Sequence, residues 1–377
     1  RSTTCAWRRT SRFWRCSKTW TSCVRRRSSS PSPRSISRAS TPAPSASMPL
    51  KGWTGIEKGK IMKKKNSLRE LLKNGQVFTP CIWDGFSARA AELCGFKSAL
   101  ISSAAVAYAL TGMPDVGLMT ADEMIEITAR IAFSSPLALI IDSEGGYGDT
   151  PLHAYRNISR LAQSGAAAIM MADQCGNGGV ERWLYPEKYF PQNKSILPRD
   201  EWLAKIEASL AAVEGTDCMV IARTGAWYSE GLDEAILRCQ SAMELGAHMS
   251  VICGITKPDE CRKVAELVPG YKMYPDIISQ NGIPDMELGE LRKLGFQLVS
   301  VHFLEKGAFD GMAKFCSHVM ADRNTVWVDQ HDMGGRKTYD WMQQMELYVD
   351  YYDWINFEEN CFISAQNVMN SVNEGSN

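Results

Sequence analysis

The sequence from Leu68 to Phe315 predicts an α/β fold, a (β/α)8 TIM barrel followed by additional C-terminal helices. Two observations carry that reading. Short apolar runs rich in β-branched residues alternate with longer stretches of helical period, the pattern of repeated βα units that build a parallel sheet. Several helical stretches also end in glycine just before the next apolar run, as at Cys94-Gly95, Ser164-Gly165, Leu245-Gly246 and Leu294-Gly295. A helix closes in a left-handed turn at such a glycine.

Eight apolar runs occur, the number of a closed barrel: Val77–Ile82, Ser98–Ser102, Leu137–Asp142, Ala166–Met171, Cys218–Ala222, His248–Cys253, Tyr271–Tyr274 and Gln297–Val301. Between them Ser87–Cys94, Thr120–Ala132, Pro151–Gln163, Asp200–Val213, Leu232–Leu245, Pro258–Leu267 and Pro284–Lys293 read as helices, several opened by an N-cap residue or a first-turn proline. A doubly wound sheet is the rival architecture. It lacks support because no GxGxxG follows the first strand and no break divides the chain into halves. Beyond the eighth strand, apolar and aromatic positions from Trp341 to Phe357 predict helices with too much apolar surface for a lone barrel. They are expected to pack on a partner subunit.

Formal charge is zero overall, yet residues 1–61 carry ten Arg and four Lys against Glu57 alone, so the rest of the chain is negative by thirteen. Within that first segment, Ser28 to Pro49 is a Ser/Pro/Ala tract that cannot bury enough apolar surface to offset chain entropy. Residues 1–61 are therefore expected to be a disordered basic extension. Two origins remain open: an organelle transit peptide or nucleic-acid arm, or an extension from cloning or mistranslation, since Met62-Lys63-Lys64-Lys65 reads as a start. Residues 62–315 are the expected barrel and 316–377 a helical segment for oligomerisation. No run of eighteen apolar residues occurs, which excludes a membrane-spanning helix of ordinary length. Twelve cysteines without CxxC spacing predict reduced, mostly buried thiols in the cytoplasm. Nothing basic in the barrel resembles a nucleic-acid face.

Active sites of such barrels sit at the carboxyl ends of the strands, so the polar residues that close each run are the candidates. The third run closes in Asp142-Ser143-Glu144-Gly145-Gly146-Tyr147-Gly148-Asp149. Two carboxylates two residues apart before a glycine-rich turn suit Mg²⁺ held by one direct carboxylate and several waters; a capped turn is the plainer alternative. The fifth run closes in Arg223, whose planar fork suits a carboxylate or phosphonate, with an ion pair to Asp142 or Glu144 as the alternative. After the second run, Ser102-Ser103-Ala104-Ala105 offers backbone N–H groups that could cradle a carboxylate, or close packing alone.

Five motifs in order over about 125 residues resemble the isocitrate lyase/phosphoenolpyruvate mutase superfamily: Ser102-Ser103, Gly112-Met113-Pro114-Asp115-Val116-Gly117, Asp142 to Gly148, Ala172-Asp173-Gln174 and Ala222-Arg223-Thr224-Gly225-Ala226. The resemblance implies that Ser102, Ser103 and Ala104 hold the substrate carboxylate and that Asp142 and Glu144 carry Mg²⁺. It further implies Asp115 on a mobile gating loop and Arg223 on the negative end of the substrate, these two being the candidate catalytic residues. Asn193, beside Lys194, falls where the mutase-like branch places a polar group near its phosphonate. The implied chemistry is enolpyruvate chemistry, in which the metal stabilises an enolate as a C–C or C–P bond breaks. Three positions depart from the pattern: Ala172 where the family has a glutamate near the metal's water shell, Gly225 where it has Asp, and Cys253 where Glu or His is usual.

The lyase loop that supplies a cysteine acid is also absent. Cys175 directly follows Gln174 and reads as a buried small residue instead. The expected function is thus a Mg-dependent enzyme that cleaves or decarboxylates a small α-keto or α-hydroxy dicarboxylate, as a dimer or tetramer. The alternatives are a mutase or hydrolase acting on a C–P bond, and a non-catalytic barrel that binds a keto acid.

Overall fold

The computed structural model describes residues 65–175, 196–331 and 351–374. Eight parallel strands close into one barrel in the order β1 (Val77–Ile82), β10 (Phe296–Val301), β7 (Tyr271–Tyr274), β6 (Met249–Ile252), β5 (Met219–Thr224), β4 (Ala168–Ala172), β3 (Ala138–Asp142) and β2 (Ser98–Ile101). A hairpin of β8 (Ser279–Gln280) and β9 (Ile283–Pro284) interrupts the return from β7 to β10. Closure leaves the barrel no exposed strand edge.

The interior is filled because every strand sends one apolar side chain inward: Cys81, Leu100, Ile140, Met170, Ile221, Val251, Met273 and Leu298 form one buried cluster. Outward-facing residues of the same strands pack under the helices; Ile101, Leu139, Ile141 and Val220 join Ile131, Ile158, Trp202 and Ile206 in a second cluster. Burial on both faces explains why the strands read as continuous apolar runs rather than alternating ones. Gly95, Gly165, Gly246 and Gly295 all have positive φ, so the helix endings inferred from glycine are real left-handed turns.

Three details differ from expectation. Ser102 is not the last residue of β2 but the N-cap of a helix, Ser103–Thr111, its Oγ accepting from Ala105 N at 3.3 Å. The alanine-rich sequence of that helix has no polar face, which hid its period. Pro284 lies in β9, and the helix expected from it begins at Leu288. The helix Leu304–Asp322 runs without interruption past residue 315, with no buried residue and with Phe309, Met312 and Met320 exposed. A last helix, Tyr351–Glu374, exposes Phe362, Ile363, Val368 and Met369. Among the described residues no helix is long and apolar enough to cross a membrane. Residues 1–61, Asn193, Lys194 and Trp341 lie outside the described residues.

Candidate active site at the barrel mouth

At the carboxyl end of β3 the chain turns sharply enough to force non-glycine residues into the left-handed region: φ is +52° at Glu144 and +56° at Tyr147. Such backbone persists only where its surroundings over-determine it. Here two helices grip the turn. Asn157 Nδ2 donates to Gly146 O at 3.0 Å and Tyr147 O at 3.3 Å. From the helix Arg199–Val213, buried Lys205 Nζ donates to Gly145 O and, at 2.8 Å, to Gly148 O. Close packing fixes the glycines, since a Cβ on Gly148 would lie 2.5 Å from His153 Cβ.

Asp142 and Glu144 are 8% and 3% exposed, so neither acid is solvated as a surface turn residue would be. Arg223, at the mouth of β5, donates through Nη1 to Asp142 Oδ1 at 2.6 Å and through Nε to Cys253 Sγ at 3.3 Å. The ion pair that stood as the alternative to a substrate role for Arg223 is therefore formed, with Asp142. Burial pushes the Cys253 thiol up, while Arg223 pulls it the other way. Beneath Arg223, Asp173 accepts from Thr224 Oγ1 at 2.6 Å, Gly225 N at 2.9 Å and Arg238 Nη1 at 3.2 Å. That buried clamp fixes the backbone from which Arg223 projects.

Glu144 is the most perturbed acid of the mouth. Burial, then the charges of Asp142 and Asp115, raise its carboxyl to about 8, against the opposing effects of Arg223 and a hydrogen bond from Ser103. The Ser103 side chain thus hydrogen-bonds Glu144, and the charge of Asp115 acts on it. Asp115 is only 6% exposed although its loop neighbours Met113, Val116 and Leu118 are exposed. Gln174 Nε2 donates to Glu144 Oε2. Gln174 Oε1 and the Tyr147 hydroxyl are buried and have no partner among the described residues.

Of the candidates from sequence, Asp142, Glu144, Ser103, Asp115 and Arg223 meet at one mouth. Ser102 and Ala104 stand at the adjoining helix N-terminus, where Ser102 is occupied as the cap. Ala172 is fully buried and its N–H donates to Glu144 O at 2.9 Å, so it holds the turn through backbone alone. Cys175 is half-buried rather than buried and directly follows the Gln174–Ile196 bridge. Sequence reasoning missed Asn157, Lys205 and the anchoring of Asp173. Lys205 had one available signal: it shares a helical face with Trp202, Ile206 and Ser209, all buried, an unusual place for lysine.

A hard divalent cation fits the donor chemistry of this mouth. Two acids and an unsatisfied amide oxygen are oxygen donors, and the charges of Asp142 and Asp115, which add to burial in raising Glu144, are what a cation would relieve. Among the described residues no group of three or more His, Cys, Asp or Glu side chains stands at metal-binding spacing. The fit is thus to an ion that keeps several waters, not to a closed cage.

Fold and site together define the class: a closed parallel (β/α)8 barrel with a buried acid pair and an arginine fork at one mouth. A family model described as phosphoenolpyruvate phosphomutase matches residues 68–319. The chain belongs to that family, within the superfamily its motifs resembled. The petal death protein of Dianthus caryophyllus is 30% identical over 251 residues, 66% of this chain and 74% of the relative. The 2-methylisocitrate lyase of Escherichia coli (strain K12) is 28% identical over 279 residues, 73% and 88% respectively. The crystal structure of 2,3-dimethylmalate lyase, a member of the same superfamily, covers 78% of this chain and 97% of its own with TM-score 0.65 and 23% identity. That likeness shows the fold.

Proposed function

We propose that the chain is a Mg²⁺-dependent carbon–carbon lyase or decarboxylase of a small α-keto or α-hydroxy dicarboxylate, working through a pyruvate-type enolate. The observation that carries this reading is the buried constellation of Asp142, Glu144 and Arg223 at the mouths of β3 and β5. A 2-methylisocitrate lyase among the relatives supports the same class.

In this reading Arg223 releases Asp142 when substrate enters and takes the substrate's carboxylate in its two-pronged fork. The N–H groups of Ser103 and Ala104, at a helix N-terminus, hold the carboxylate beside the keto oxygen. Asp142 and Glu144, with Gln174, would hold the Mg²⁺. Bound there, the ion supplies Lewis-acid stabilisation of the enolate oxygen. Asp115, on the loop 112–117, closes the mouth and excludes water while the enolate exists. Asn193 is assigned to the substrate's far end. The enzyme works as a cytoplasmic dimer or tetramer, its exposed C-terminal helical faces meeting in the oligomer.

The test is pyruvate release from oxaloacetate and from phosphonopyruvate, with and without Mg²⁺. Turnover of oxaloacetate that needs Mg²⁺ supports the lyase reading. Turnover of phosphonopyruvate alone would move the assignment to C–P chemistry, and keto-acid binding without turnover would reject an enzyme.

A further inference from the structure

The constellation described above uses β2 to β6. The remaining sector of the closed barrel, β7, β10 and β1, carries a second titratable group of side chains that no step has yet used. Asp276, just past β7, accepts from the backbone N–H of His302 through Oδ1 at 2.9 Å, while its Oδ2 lies 3.4 Å from His302 Nδ1. His302 itself follows the end of β10. The two strand ends are stitched together by Ile277 N donating to Ser300 O at 3.2 Å and by Ser300 Oγ donating to Pro275 O. Cys81, fully buried at the end of β1 and pointing into the barrel, lies against the imidazole. One carboxylate thus fixes both the backbone and the ring of a histidine that remains 35% exposed on its side chain. A strand-mouth histidine oriented this firmly has the attributes of a proton-transfer group.

We propose that His302, oriented by Asp276 and backed by Cys81, is the acid that protonates carbon three of the enolate, from the wall of the mouth opposite Asp142 and Arg223. This rests on the enolate reading above. When the C3–C4 bond of a β-keto acid breaks, carbon dioxide leaves and the bond's electron pair stays in the enolate. The imidazolium proton then passes to C3, forming the new C–H bond, and neutral His302 recovers a proton from water. Burial opposes the charged imidazole, while Cys81 and the Asp276 carboxylate raise its pKa; the Cys81 thiol is itself pushed up by burial, so at neutral pH Asp276 is the anion that favours the acid form. The groups facing it are Asp276 and Cys81, and Glu305 on the following helix faces Cys81.

The test is hydrogen–deuterium exchange at the methyl of pyruvate in D₂O, read by proton NMR on the full chain with Mg²⁺, because exchange begins with the reverse of this protonation, breaking a C–H bond and no C–C bond. Wild type should exchange above the buffer rate, faster as pH rises and the base form of His302 grows. His302→Gln should lose exchange by about a hundredfold, the scale of general acid–base catalysis, with thermal midpoint retained. Asp276→Asn should move the pH rise downward, since the imidazole loses its anion. Exchange at the wild-type rate in His302→Gln, or no exchange in wild type, overturns the assignment. Oxaloacetate left untouched while pyruvate exchanges would reject the decarboxylase reading and leave His302 in place.

Discussion

Arg223 Nη1 stands 2.6 Å from Asp142 Oδ1 across the mouth of the barrel, so the residue proposed to bind the substrate's anion is paired with the residue proposed to bind the cation. Each partner satisfies the other's charge, and in the proposed reading substrate and metal take the place of that pairing. Both side chains are only 12% exposed, and at that burial removing one partner strands the other.

Arg223→Lys keeps the charge and loses the fork. Steady-state kinetics should show KM raised by about tenfold or more, roughly 1.4 kcal/mol, with a smaller change in kcat, if Arg223 binds ground and transition states alike. An unchanged KM would show that the fork holds Asp142 and not substrate.

The pH dependence of stability should report Glu144. Its folded-state carboxyl is raised to about 8 by burial and by Asp142 and Asp115, so between the ordinary carboxylate range and pH 8 the native state holds a proton the unfolded chain has lost. Stability therefore falls as pH rises through that window. Glu144→Gln should flatten the fall, and Mg²⁺ should raise the wild-type thermal midpoint more at pH 8 than at pH 6. Equal shifts at both values would contradict metal binding at Glu144.

Lys205→Met should cost about 1–3 kcal/mol in chemical denaturation, the penalty for leaving the carbonyls of Gly145 and Gly148 unsatisfied. Its second effect is functional: the loosened turn should demand more Mg²⁺ for half-maximal activity. A variant that is less stable yet unchanged in its Mg²⁺ requirement would make Lys205 structural only.

How much of this could be read in the sequence depends on where each signal resides. Asp142, Glu144 and Arg223 each end an apolar run, so local pattern alone placed them at strand mouths. Ser103 was reached from the run of small residues after the second strand, whereas Asp115 needed the motif resemblance, because a loop has no period. Lys205, Asn157, Asp276 and His302 were missed, since their roles arise from partners that only the folded chain brings close. Asp276 and His302 are 26 residues apart in the chain and meet because β7 and β10 are neighbours.

Light scattering should give a dimer or tetramer mass at micromolar protein, since Phe309, Met312, Phe362 and Met369 present uncovered apolar surface on the C-terminal helices. A chain starting at Met62 should keep the thermal midpoint and activity of the full chain. A monomer mass would contradict the oligomer, and lost solubility on truncation would show that residues 1–61 serve the fold.

The most direct test of the account is the Mg²⁺-dependent release of pyruvate from oxaloacetate by Asp142→Ala, with Cys175→Ser as its comparison. Asp142 is the acid that faces Arg223 at the mouth, whereas Cys175 is half-buried and belongs to no part of the proposed chemistry. The account predicts that Asp142→Ala abolishes Mg²⁺-dependent turnover while Cys175→Ser loses less than about tenfold, roughly 1.4 kcal/mol of barrier. An active Asp142→Ala beside a dead Cys175→Ser would contradict the enolate mechanism and put a cysteine-dependent one in its place.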